Sequence, residues 1–244
     1  MINEVGIDTK FDFRTDATGP DPDNTSPTLK RYHQFLWSKF LPNGKIFNLD
    51  SESGNGYLYH KSELGEFVLT SDSVLPTFSR RKRYALIEQI PHEDVAHFDY
   101  ITYTIGGMMI FPGNKIDGRM TINGARGCHQ IIADRFDLTV ECIRRYYGGE
   151  ESPLYAVLAR YDSFFRLFSD FKGYVDFFLL QDLVVGDYSA VRFFTPFNNF
   201  QSSPLPQNIE AYTLFRERTI AFVESRNDRI LAHCADHPQT HRGQ

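Results

Sequence analysis

The stretch ITYTIGGMMIFPGNKIDGRMTINGARGCHQIIADRFDLTVECIRRYY, residues 101–147, contains the transition that decides the fold class. Its beginning, ITYTIGGMMIF, is rich in β-branched and aromatic residues and predicts a strand that ends at Pro112. Its end predicts a helix that is stopped by Gly148 and Gly149, because apolar residues recur there on one helical face. This apolar face is formed by Ile132, Phe136, Val140, Ile143 and Tyr147. The chain therefore changes from strand to helix at about Thr121.

On the amino-terminal side of this transition, short β-rich runs are separated by Gly, Ser and Asn. The runs KIFNL, GYLYH and EFVLT, followed by ITYTIGGMMIF, predict an antiparallel sheet within residues 45–112. A helix precedes the sheet, because Ser26 and Pro27 suit its first positions and apolar residues follow at helical spacing as far as Phe40. Residues 15–27 are crowded with Gly, Pro, Asp and Asn, which predicts a loop.

On the carboxyl-terminal side, helices dominate. Ser152 and Pro153 precede a segment with one apolar face, which predicts a helix as far as Phe168. The run YVDFFLLQDLVV predicts a buried helix that ends at Gly186, AVRFFTPF predicts a further strand, and residues 208–231 predict a last amphipathic helix. The pattern is that of an α+β protein, with an antiparallel sheet in the N-terminal half and a mainly helical C-terminal half.

The composition is that of a globular protein, with 41% hydrophobic and 23% charged residues. No repeat or long linker-like stretch divides the chain. We therefore expect a single α+β domain over residues 1–232, in which residues 1–26 form a loop-rich arm, and a flexible tail at residues 233–244.

Several classes of protein are disfavoured by the sequence. The longest uncharged stretch, residues 100–114, is too short and too rich in Gly and Pro for a membrane helix. The polar, acidic N-terminus lacks the pattern of a signal peptide, and the formal charge of −5 disfavours binding to duplex nucleic acid. We therefore expect a cytoplasmic protein that contacts no membrane and whose three cysteines are free thiols.

A first group of candidate site residues surrounds the helix that ends at Gly148. Acidic and basic residues share the face opposite its apolar stripe, and one interpretation is a solvent-exposed, salt-bridged surface. The other is an anion or phosphate site, since the planar guanidinium of Arg can bind phosphate with two hydrogen bonds. In that interpretation Asp137 and Glu141 handle protons. The ligand is bound by Asn123, Arg126, Arg135 and Arg144.

A second group combines the strand GYLYH with the first predicted helix. Because side chains alternate along a strand, Tyr57 and Tyr59 share one side and His60 takes the other. With Tyr and carboxylate neighbours, His60 would serve as a general acid or base, and Tyr57 or Trp37 would stack on a base. The alternative is that His60 is simply packed among aromatic residues. Further members of the group are Tyr32, His33, Lys39 and Asp72.

Three other features carry weaker predictions. Asp176, among leucines, predicts either a carboxyl that has a raised pKa or a buried partner, or an acid that complements a helix dipole. The run Arg80–Arg83 predicts a solvated surface or, with neighbouring aromatic residues, a site for single-stranded nucleic acid. The tail has a spacing that can hold zinc, but Pro238 breaks any helix there and chain ends fray, so we predict no metal site. The tail residues concerned are His233, Cys234, His237 and His241.

Several longer runs together resemble a bacterial family that is known only as a domain of unknown function. The runs are RYHQFLWSKFLPNGKIF, YLYHKSELGEF, YTIGGMMIFPGNKIDG, TINGARG, ADRFDLTVECIRRYY and GYVDFFLLQDLV. The resemblance covers about residues 11–230 and implies a stand-alone bacterial or phage-related cytoplasmic protein. It implies no activity, cofactor or site residue.

No strong catalytic or phosphate-loop signature occurs in the sequence, so a function must rest on the groups above. The leading hypothesis is an enzyme, or a toxin- or defence-type factor, that acts on a nucleotide or other phosphate-bearing ligand through Arg126, Arg135 and Arg144. One alternative is a non-catalytic module that binds a protein partner through exposed aromatic residues. A second is a binder of single-stranded nucleic acid. The sequence leaves the cofactor open.

Overall fold

The computed structural model of the protein describes residues 6–49, 57–74 and 84–236. The fold is α+β, as predicted: antiparallel strands lie within residues 39–112, and helices dominate the C-terminal half. The strands are β1 (Lys39–Phe40), β2 (Ile46–Phe47), β3 (Leu58–Ser62), β4 (Gly65–Ser73) and β5 (Met108–Pro112). The helices are α1 (Pro22–Thr25), α2 (Pro27–Trp37), α3 (Tyr84–Ile87), α4 (His92–Thr102), α5 (Ile122–Cys128), α6 (Phe136–Tyr147), α7 (Tyr155–Arg160), α8 (Asp162–Phe165), α9 (Phe171–Phe177) and α10 (Ile209–Asp236).

Strand β4 is the centre of the larger sheet. It pairs with β3 through its first half and with β5 through its second half, both antiparallel. Strands β1 and β2 form a separate hairpin directly after α2, in which Phe40 faces Ile46. Beyond Leu69, one edge of β4 has no strand beside it among the described residues.

Helix α1 covers that open edge of β4. The side-chain oxygen of Asn24 accepts a hydrogen bond from the Ser71 amide at 3.2 Å, and its Nδ2 donates to the Ser71 carbonyl at 3.4 Å. A carboxylate oxygen of Asp23 accepts a hydrogen bond from the Ser73 amide at 3.0 Å. Two side chains thus take the place of a neighbouring strand, and part of the segment predicted as a loop is helical.

Helix α2 begins where the sequence predicts. The Ser26 hydroxyl accepts a hydrogen bond from the Leu29 amide at 3.1 Å, and Pro27 occupies the first helical position. The helix ends at Trp37, earlier than predicted. Phe40, which was expected on its buried face, is instead 68% exposed, because the pairing of β1 with β2 replaces the helix there.

The run ITYTIGGMMIF is a strand only from Met108 onward, so its first part was predicted wrongly. Helix α4 continues through Thr102, and a 3₁₀ turn covers Ile105–Gly107. A Cβ on the first glycine of this turn would lie 2.4 Å from the carbonyl oxygen of Val223, and one on the second would lie 2.2 Å from that of Thr102. The two glycines therefore allow the turn to pack tightly against α4 and α10, which a strand with side chains would prevent.

The helix predicted from Thr121 is in fact two helices, α5 and α6. Between them, Ala133 and Asp134 adopt left-handed backbone conformations with φ of 49° and 61°. The Asp134 amide donates to the carbonyl of Arg126 at 3.0 Å, which closes the turn. Ile132 lies in this turn and is still buried, so the apolar stripe predicted from its spacing survives the break.

The next two predicted helices are shorter than their apolar patterns suggest. The first is divided into α7, α8 and a 3₁₀ turn that ends before Ser169, where φ is 69°. The second ends at Phe177, shortly before Leu179, where φ is 54°. The run AVRFFTPF is not a strand, because its Val191 makes only an isolated β-bridge to Val184. Packing of aromatic rings from several directions outweighs helix propensity in this part of the chain.

Phe168 lies at the centre of the aromatic core. Its ring centroid is 5.3 Å from that of Phe164, 5.0 Å from Phe177 and 5.2 Å from Phe178. The ring of Trp37, fully buried, packs edge-on against Phe178 at 5.2 Å. The aromatic residues, which make up 15% of the chain, therefore join α2, α8 and α9 in one core.

Helix α10 ties the sheet to this core and extends past its predicted end at residue 231. The guanidinium of Arg226, fully buried, donates to the carbonyl oxygens of Gly106, Met108 and Phe178 at 2.9, 2.7 and 3.0 Å. One side chain thus connects the 3₁₀ turn, β5 and the end of α9. In the described part of the chain, no helix is long and apolar enough to cross a membrane.

Candidate functional site

Arg126, predicted to bind an anion, is fully buried where the sheet meets α5 and α6. Its Nη1 donates to Asp72 and lies 3.2 Å from Oδ1 of Asp134. Its Nε donates to the Thr139 hydroxyl at 3.1 Å, and its Nη2 donates to the Asp134 carbonyl at 3.0 Å. Burial works to lower the pKa of Arg126, but the two carboxylates outweigh it and raise the pKa. Each guanidinium nitrogen already has a partner inside the protein.

Arg135 and Asp137, predicted as a ligand-binding and a proton-handling residue, form a buried ion pair. Nε of Arg135 donates to Oδ1 of Asp137 at 2.9 Å, and Nη1 donates to the hydroxyl of Thr195 and to the carbonyl of Pro204. The carboxylate also accepts a hydrogen bond from the Phe194 amide at 2.8 Å. The pair therefore fastens the start of α6 to the loop that precedes α10.

Glu141, the other predicted proton-handling residue, lies between two arginines of its own helix. Nε of Arg144 donates to one carboxylate oxygen at 2.9 Å, and Nε of Arg145 donates to the other at 2.8 Å. Arg144 also donates to Glu150 at 3.0 Å. Both oxygens of Glu141 are thus held by cations, but Glu141 is buried and does not lie on a solvent-exposed surface.

A buried chain of hydrogen bonds joins Trp37, His33 and Ser71. The indole Nε1 of Trp37 donates to Nδ1 of His33 at 3.0 Å, so Nε2 of His33 carries the proton and donates to the Ser71 hydroxyl at 2.9 Å. Burial, with the charge of Arg226, lowers the pKa of His33 to about 3. The neutral histidine donates to the serine and so does not activate it as a nucleophile.

His60 is packed among aromatic rings and lies away from Arg126 in the sheet hairpin. Its ring stacks on Phe47 at 4.3 Å and on Phe67 at 6.0 Å. Its Nδ1 lies 2.7 Å from the Asn48 carbonyl, and its Nε2 lies 2.8 Å from the Ser62 hydroxyl. Burial lowers the pKa of His60. Both ring nitrogens of His60 therefore have polar partners close to β3.

The end of β4 brings part of the two predicted groups together. Nδ2 of Asn123 donates to the Ser71 carbonyl at 3.4 Å, beside the ion pair of Asp72 with Arg126. Burial, and next the charge of Asp72, raise the pKa of Asp23 to about 8. One side-chain oxygen each of Asn123 and Asp23 is buried without a hydrogen-bond partner in the described residues. Tyr57 lies near this acidic group, but its hydroxyl donates to the Ser26 carbonyl at 3.2 Å.

A cavity lies between the β1–β2 hairpin, α9 and the end of α10, apart from the residues described so far. Its volume is about 500 Å³, within the range of small-molecule sites. Apolar walls come from Phe40, Phe168 and Phe177, whereas the polar lining includes Lys39, Asp170, Lys172, Asp176 and His233. We call this space the Lys39 cavity. Gly173 permits its shape, because a Cβ there would lie 2.0 Å from the Phe168 carbonyl oxygen and 3.2 Å from the Pro42 ring.

Lys39 is the most unusual residue of this cavity. Its Nζ lies 5.0 Å from the ring centre of Trp37 and 4.7 Å from that of Phe177. Within the described residues, no carboxylate forms a salt bridge with it, in contrast to Lys172. Burial, and next the nearby charge of Arg226, lower the pKa of Lys39 to about 8. The cavity therefore contains a half-buried amine that has no salt-bridge partner in the part of the chain that the structure describes.

Asp176 lies on the same cavity and has several donors. Lys172 donates to one carboxylate oxygen, and Tyr188 and Gln181 donate to the other at 2.7 and 2.9 Å. Burial acts to raise the pKa of Asp176, but these hydrogen bonds outweigh it and lower the pKa. Asp176 thus has the partner that the sequence suggests, without a raised pKa.

Neither the Lys39 cavity nor a second cavity in the described residues brings the predicted site residues together. Arg135 lines a second, smaller space of about 170 Å³, and neither of these two cavities is lined by His60, Arg126 or Glu141. The signal for the Lys39 cavity was weak in the sequence: Lys39 belongs to the second predicted group, but nothing in its spacing indicates a partner on α9.

The remaining expectations concern metals, cysteines and segments outside the described residues. In residues 6–49, 57–74 and 84–236, no group of three or more His, Cys, Asp or Glu side chains is placed to hold a metal ion. Cys128, Cys142 and Cys234 are free thiols, as expected. The run Arg80–Arg83 and the tail residues His237 and His241 lie outside the described residues.

Comparison with known proteins gives one match. A family model described as a family of unknown function, DUF6994, matches residues 7–230. No curated protein and no solved structure matches the chain. The match covers most of the chain and agrees with the resemblance carried by the long sequence runs. The chain belongs to the DUF6994 family of unknown function.

Proposed function

We propose that this protein binds a small acidic molecule, with a phosphate or carboxylate group, in the Lys39 cavity. The observation that carries this proposal is the half-buried ammonium of Lys39, which faces the cavity without a carboxylate partner in the described residues. A charge removed from water is costly unless an opposite charge or hydrogen bonds compensate it. An acidic ligand would supply the missing charge.

A second cation strengthens this preference for an anion. Arg226 lies behind Trp37, and its hydrogen bonds go to three backbone carbonyls rather than to a carboxylate. Burial lowers the pKa of Arg226 to about 9. Lys39 and Arg226, neither of which forms a salt bridge in the described residues, both add positive potential near Trp37.

The shape of the cavity favours a ligand that also has an apolar or aromatic part. Phe40, Phe168 and Phe177 offer carbon surface opposite the amine of Lys39. Phe40 is 68% exposed at the mouth, where a planar ligand group would stack on its ring. A nucleotide meets both requirements, as does a small aromatic or aliphatic acid.

This proposal keeps the phosphate-bearing ligand suggested by the sequence but moves its site. The guanidinium groups of Arg126, Arg135 and Arg144 are already bonded to Asp72, Asp137 and Glu141. A ligand would have to displace these carboxylates to reach them. The amine of Lys39 offers an anion a contact at no such cost.

The test is a ligand panel measured by thermal unfolding at fixed pH and ionic strength. The panel contains inorganic phosphate, nucleoside mono-, di- and triphosphates, and small carboxylic acids. We expect at least one acid to raise the Tm by about 3 °C or more, since a ligand that binds the folded state stabilises it. Lys39→Met is expected to abolish the shift, and Lys61→Met, which removes an exposed lysine paired with Glu66 outside the cavity lining, to retain it.

Two results would count against the proposal. One is that no acid of the panel changes the Tm of the wild-type protein. The other is that an acid stabilises Lys39→Met as much as the wild type, which would place its site elsewhere.

A second candidate function is protein binding through the β1–β2 hairpin. Phe40 and Ile46 are cross-strand partners, and they are 68% and 56% exposed. Adjacent exposed apolar residues are typical of interaction surfaces. A stoichiometric protein partner that co-purifies with the wild type and with Lys39→Met, but not with Phe40→Ser, would favour this function over ligand binding.

A further inference from the structure

We infer that Nζ of Lys39 forms an imine with the carbonyl carbon of an acidic aldehyde or ketone, such as a 2-oxo acid, in the Lys39 cavity. The inference rests on the proposed function and narrows its ligand class to acids that also contain a carbonyl group. It assigns to Lys39 a covalent reaction in addition to charge recognition.

The surroundings of Lys39 are those of a nucleophilic amine. The side chain lines the cavity, and the rings of Trp37 and Phe177 hold its end at 5.0 and 4.7 Å. No hydrogen bond from Nζ to an acceptor occurs among the described residues, so the nitrogen lone pair needs no rearrangement of a salt bridge to become available. Lys172, on the same cavity, is instead bonded to Asp176. Lysines activated for imine formation are typically desolvated or placed beside another cation, and both conditions hold here.

The charged neighbours of Lys39 favour its unprotonated form. Burial is the largest influence on its pKa, which falls to about 8, and Arg226 acts in the same direction. The Cys234 thiol opposes both. The other titratable groups on the cavity are Asp170, Lys172, Asp176 and His233. Near pH 8 about half of Lys39 would be free amine, whereas an ordinary lysine would be almost fully protonated.

The reaction balances without any co-reactant. The amine lone pair forms a bond to the carbonyl carbon, and the carbonyl π electrons move to oxygen. That oxygen takes two protons from nitrogen in the course of the reaction and leaves as water while the C=N bond forms. In sum, the ammonium of Lys39 and the carbonyl compound give an iminium ion and water, with charge and atoms conserved.

The product explains why the cavity suits an acid. The iminium nitrogen keeps the positive charge that the ammonium had, so the acidic group of the substrate remains beside a cation after the bond has formed. Phe168 and Phe177 give the cavity apolar walls, against which the carbon part of the substrate would pack.

The experiment traps the imine by reduction. The full chain is incubated at pH 7 and pH 8 with pyruvate and sodium cyanoborohydride, and the product is analysed by intact mass and peptide mapping. We expect a single adduct on Lys39, formed at least about tenfold faster than on any other lysine because more of its amine is unprotonated. Acetone replaces pyruvate as a ketone without an acidic group, and we expect it to react much more slowly.

Three variants separate this inference from the proposed function. Lys39→Arg keeps the charge but cannot form the imine, Lys39→Met removes both, and Lys61→Arg is the matched control outside the cavity lining. Lactate, an acid without an aldehyde or ketone group, reports binding alone through the Tm. We expect lactate to stabilise the wild type and Lys39→Arg but not Lys39→Met, and pyruvate to label position 39 in the wild type and in Lys61→Arg.

The outcomes can be told apart. Stabilisation by lactate that depends on charge at position 39, without a pyruvate adduct there, would overturn the imine and leave the proposed function standing. An equal rate with acetone would overturn the acidic class of substrate. Labelling spread evenly over surface lysines would overturn the imine, whereas the proposed function is overturned only if no acid of the ligand panel stabilises the protein.

Discussion

Two regions of the molecule hold buried cations, and they differ in how the charge is compensated. Around α5 and α6, Arg126 and Arg135 are fully or almost fully buried and bonded to aspartates. At the end of α2, Lys39 is half-buried, and its contacts among the described residues are aromatic faces. In the first region the arginines are neutralised by carboxylates. In the second, Lys39 lines a cavity of about 500 Å³.

The difference shows which buried charge is free to act on a ligand. A guanidinium whose donors all have protein partners contributes to the fold, and a ligand gains little from it. A buried cation without such partners destabilises the fold, and an anionic ligand that pairs with it stabilises the complex. Residue type and local spacing suggest that the arginines bind the ligand. The hydrogen bonds and salt bridges in the structure instead favour Lys39 as the ligand-binding cation.

The largest change in stability is expected at Arg126, where it tests whether the buried arginines depend on their carboxylate partners. Arg126→Ala removes a fully buried guanidinium and leaves the half-buried carboxyl groups of Asp72 and Asp134 without their cation, so we expect the free energy of unfolding to fall by about 3–5 kcal/mol. Urea unfolding measures it. Lys61→Ala, which removes one partner of an exposed ion pair with Glu66, is the control and should change stability little. A loss below about 1 kcal/mol for Arg126→Ala would contradict the pairing of Arg126 with the two aspartates.

The second effect concerns the pH dependence of Asp23. Its folded-state pKa is raised to about 8 by burial and by Asp72, so the folded state binds the proton more tightly than the unfolded state. This contribution to stability is complete below about pH 4 and is lost as the pH rises toward 8. We expect the wild type to lose about 2 kcal/mol more than Asp23→Asn between pH 5 and pH 8, by urea unfolding.

The asparagine variant keeps an oxygen that can accept the hydrogen bond of the Ser73 amide, so the edge of β4 stays covered. Equal pH profiles for the two proteins would mean that Asp23 is ionised in the fold at neutral pH, against the burial seen here.

The third effect has the opposite sign and is smaller. Lys39→Met replaces a half-buried ammonium by an apolar side chain of similar length between the rings of Trp37 and Phe177. We expect unfolding at pH 7 to become unchanged or up to about 1 kcal/mol less favourable, because no charge partner is left behind. A destabilisation as large as that of Arg126→Ala would mean that Lys39 is also part of a closed network. Chemical unfolding of both variants in one buffer gives the comparison directly.

The smallest effect is expected at Lys172. Its ion pair with Asp176 is one turn apart on α9, and the lysine side chain is 61% exposed. Lys172→Ala should therefore cost about 0.5 kcal/mol or less in unfolding measurements. A cost above about 2 kcal/mol would show that the rim of the Lys39 cavity is a structural support rather than an open mouth.

Local patterns predicted several elements well. The cap at Ser26 and the proline that follows set the start of α2, and the apolar stripe of α6 is buried as its spacing indicates. The α+β class follows from the change of pattern at about Thr121. These features depend on residues close together in the chain, where backbone hydrogen bonds and helix periodicity act.

Other features escaped prediction because distant residues decide them. The glycines of the 3₁₀ turn at Ile105–Gly107 look like part of a strand until α10 is seen to pack on them. The apolar run after Gly173 looks like one helix, but core packing ends it at Phe177. In both places, contacts with residues distant in the sequence determine the local structure.

The same division holds for the candidate site. Amino-acid order was sufficient for the fold class, the chief helix starts and the charged face of α6, since these depend on neighbours within a few residues. Which cation is neutralised and which is left open depends on folding in three dimensions, which brings Asp72 to Arg126 across 54 positions of sequence. Among the described residues no acid forms a salt bridge with Lys39, which instead lies against Phe177 of α9 at the wall of a cavity. Coulombic and desolvation energies depend on distance in space, and for that reason the pattern of residues along the chain does not reveal them.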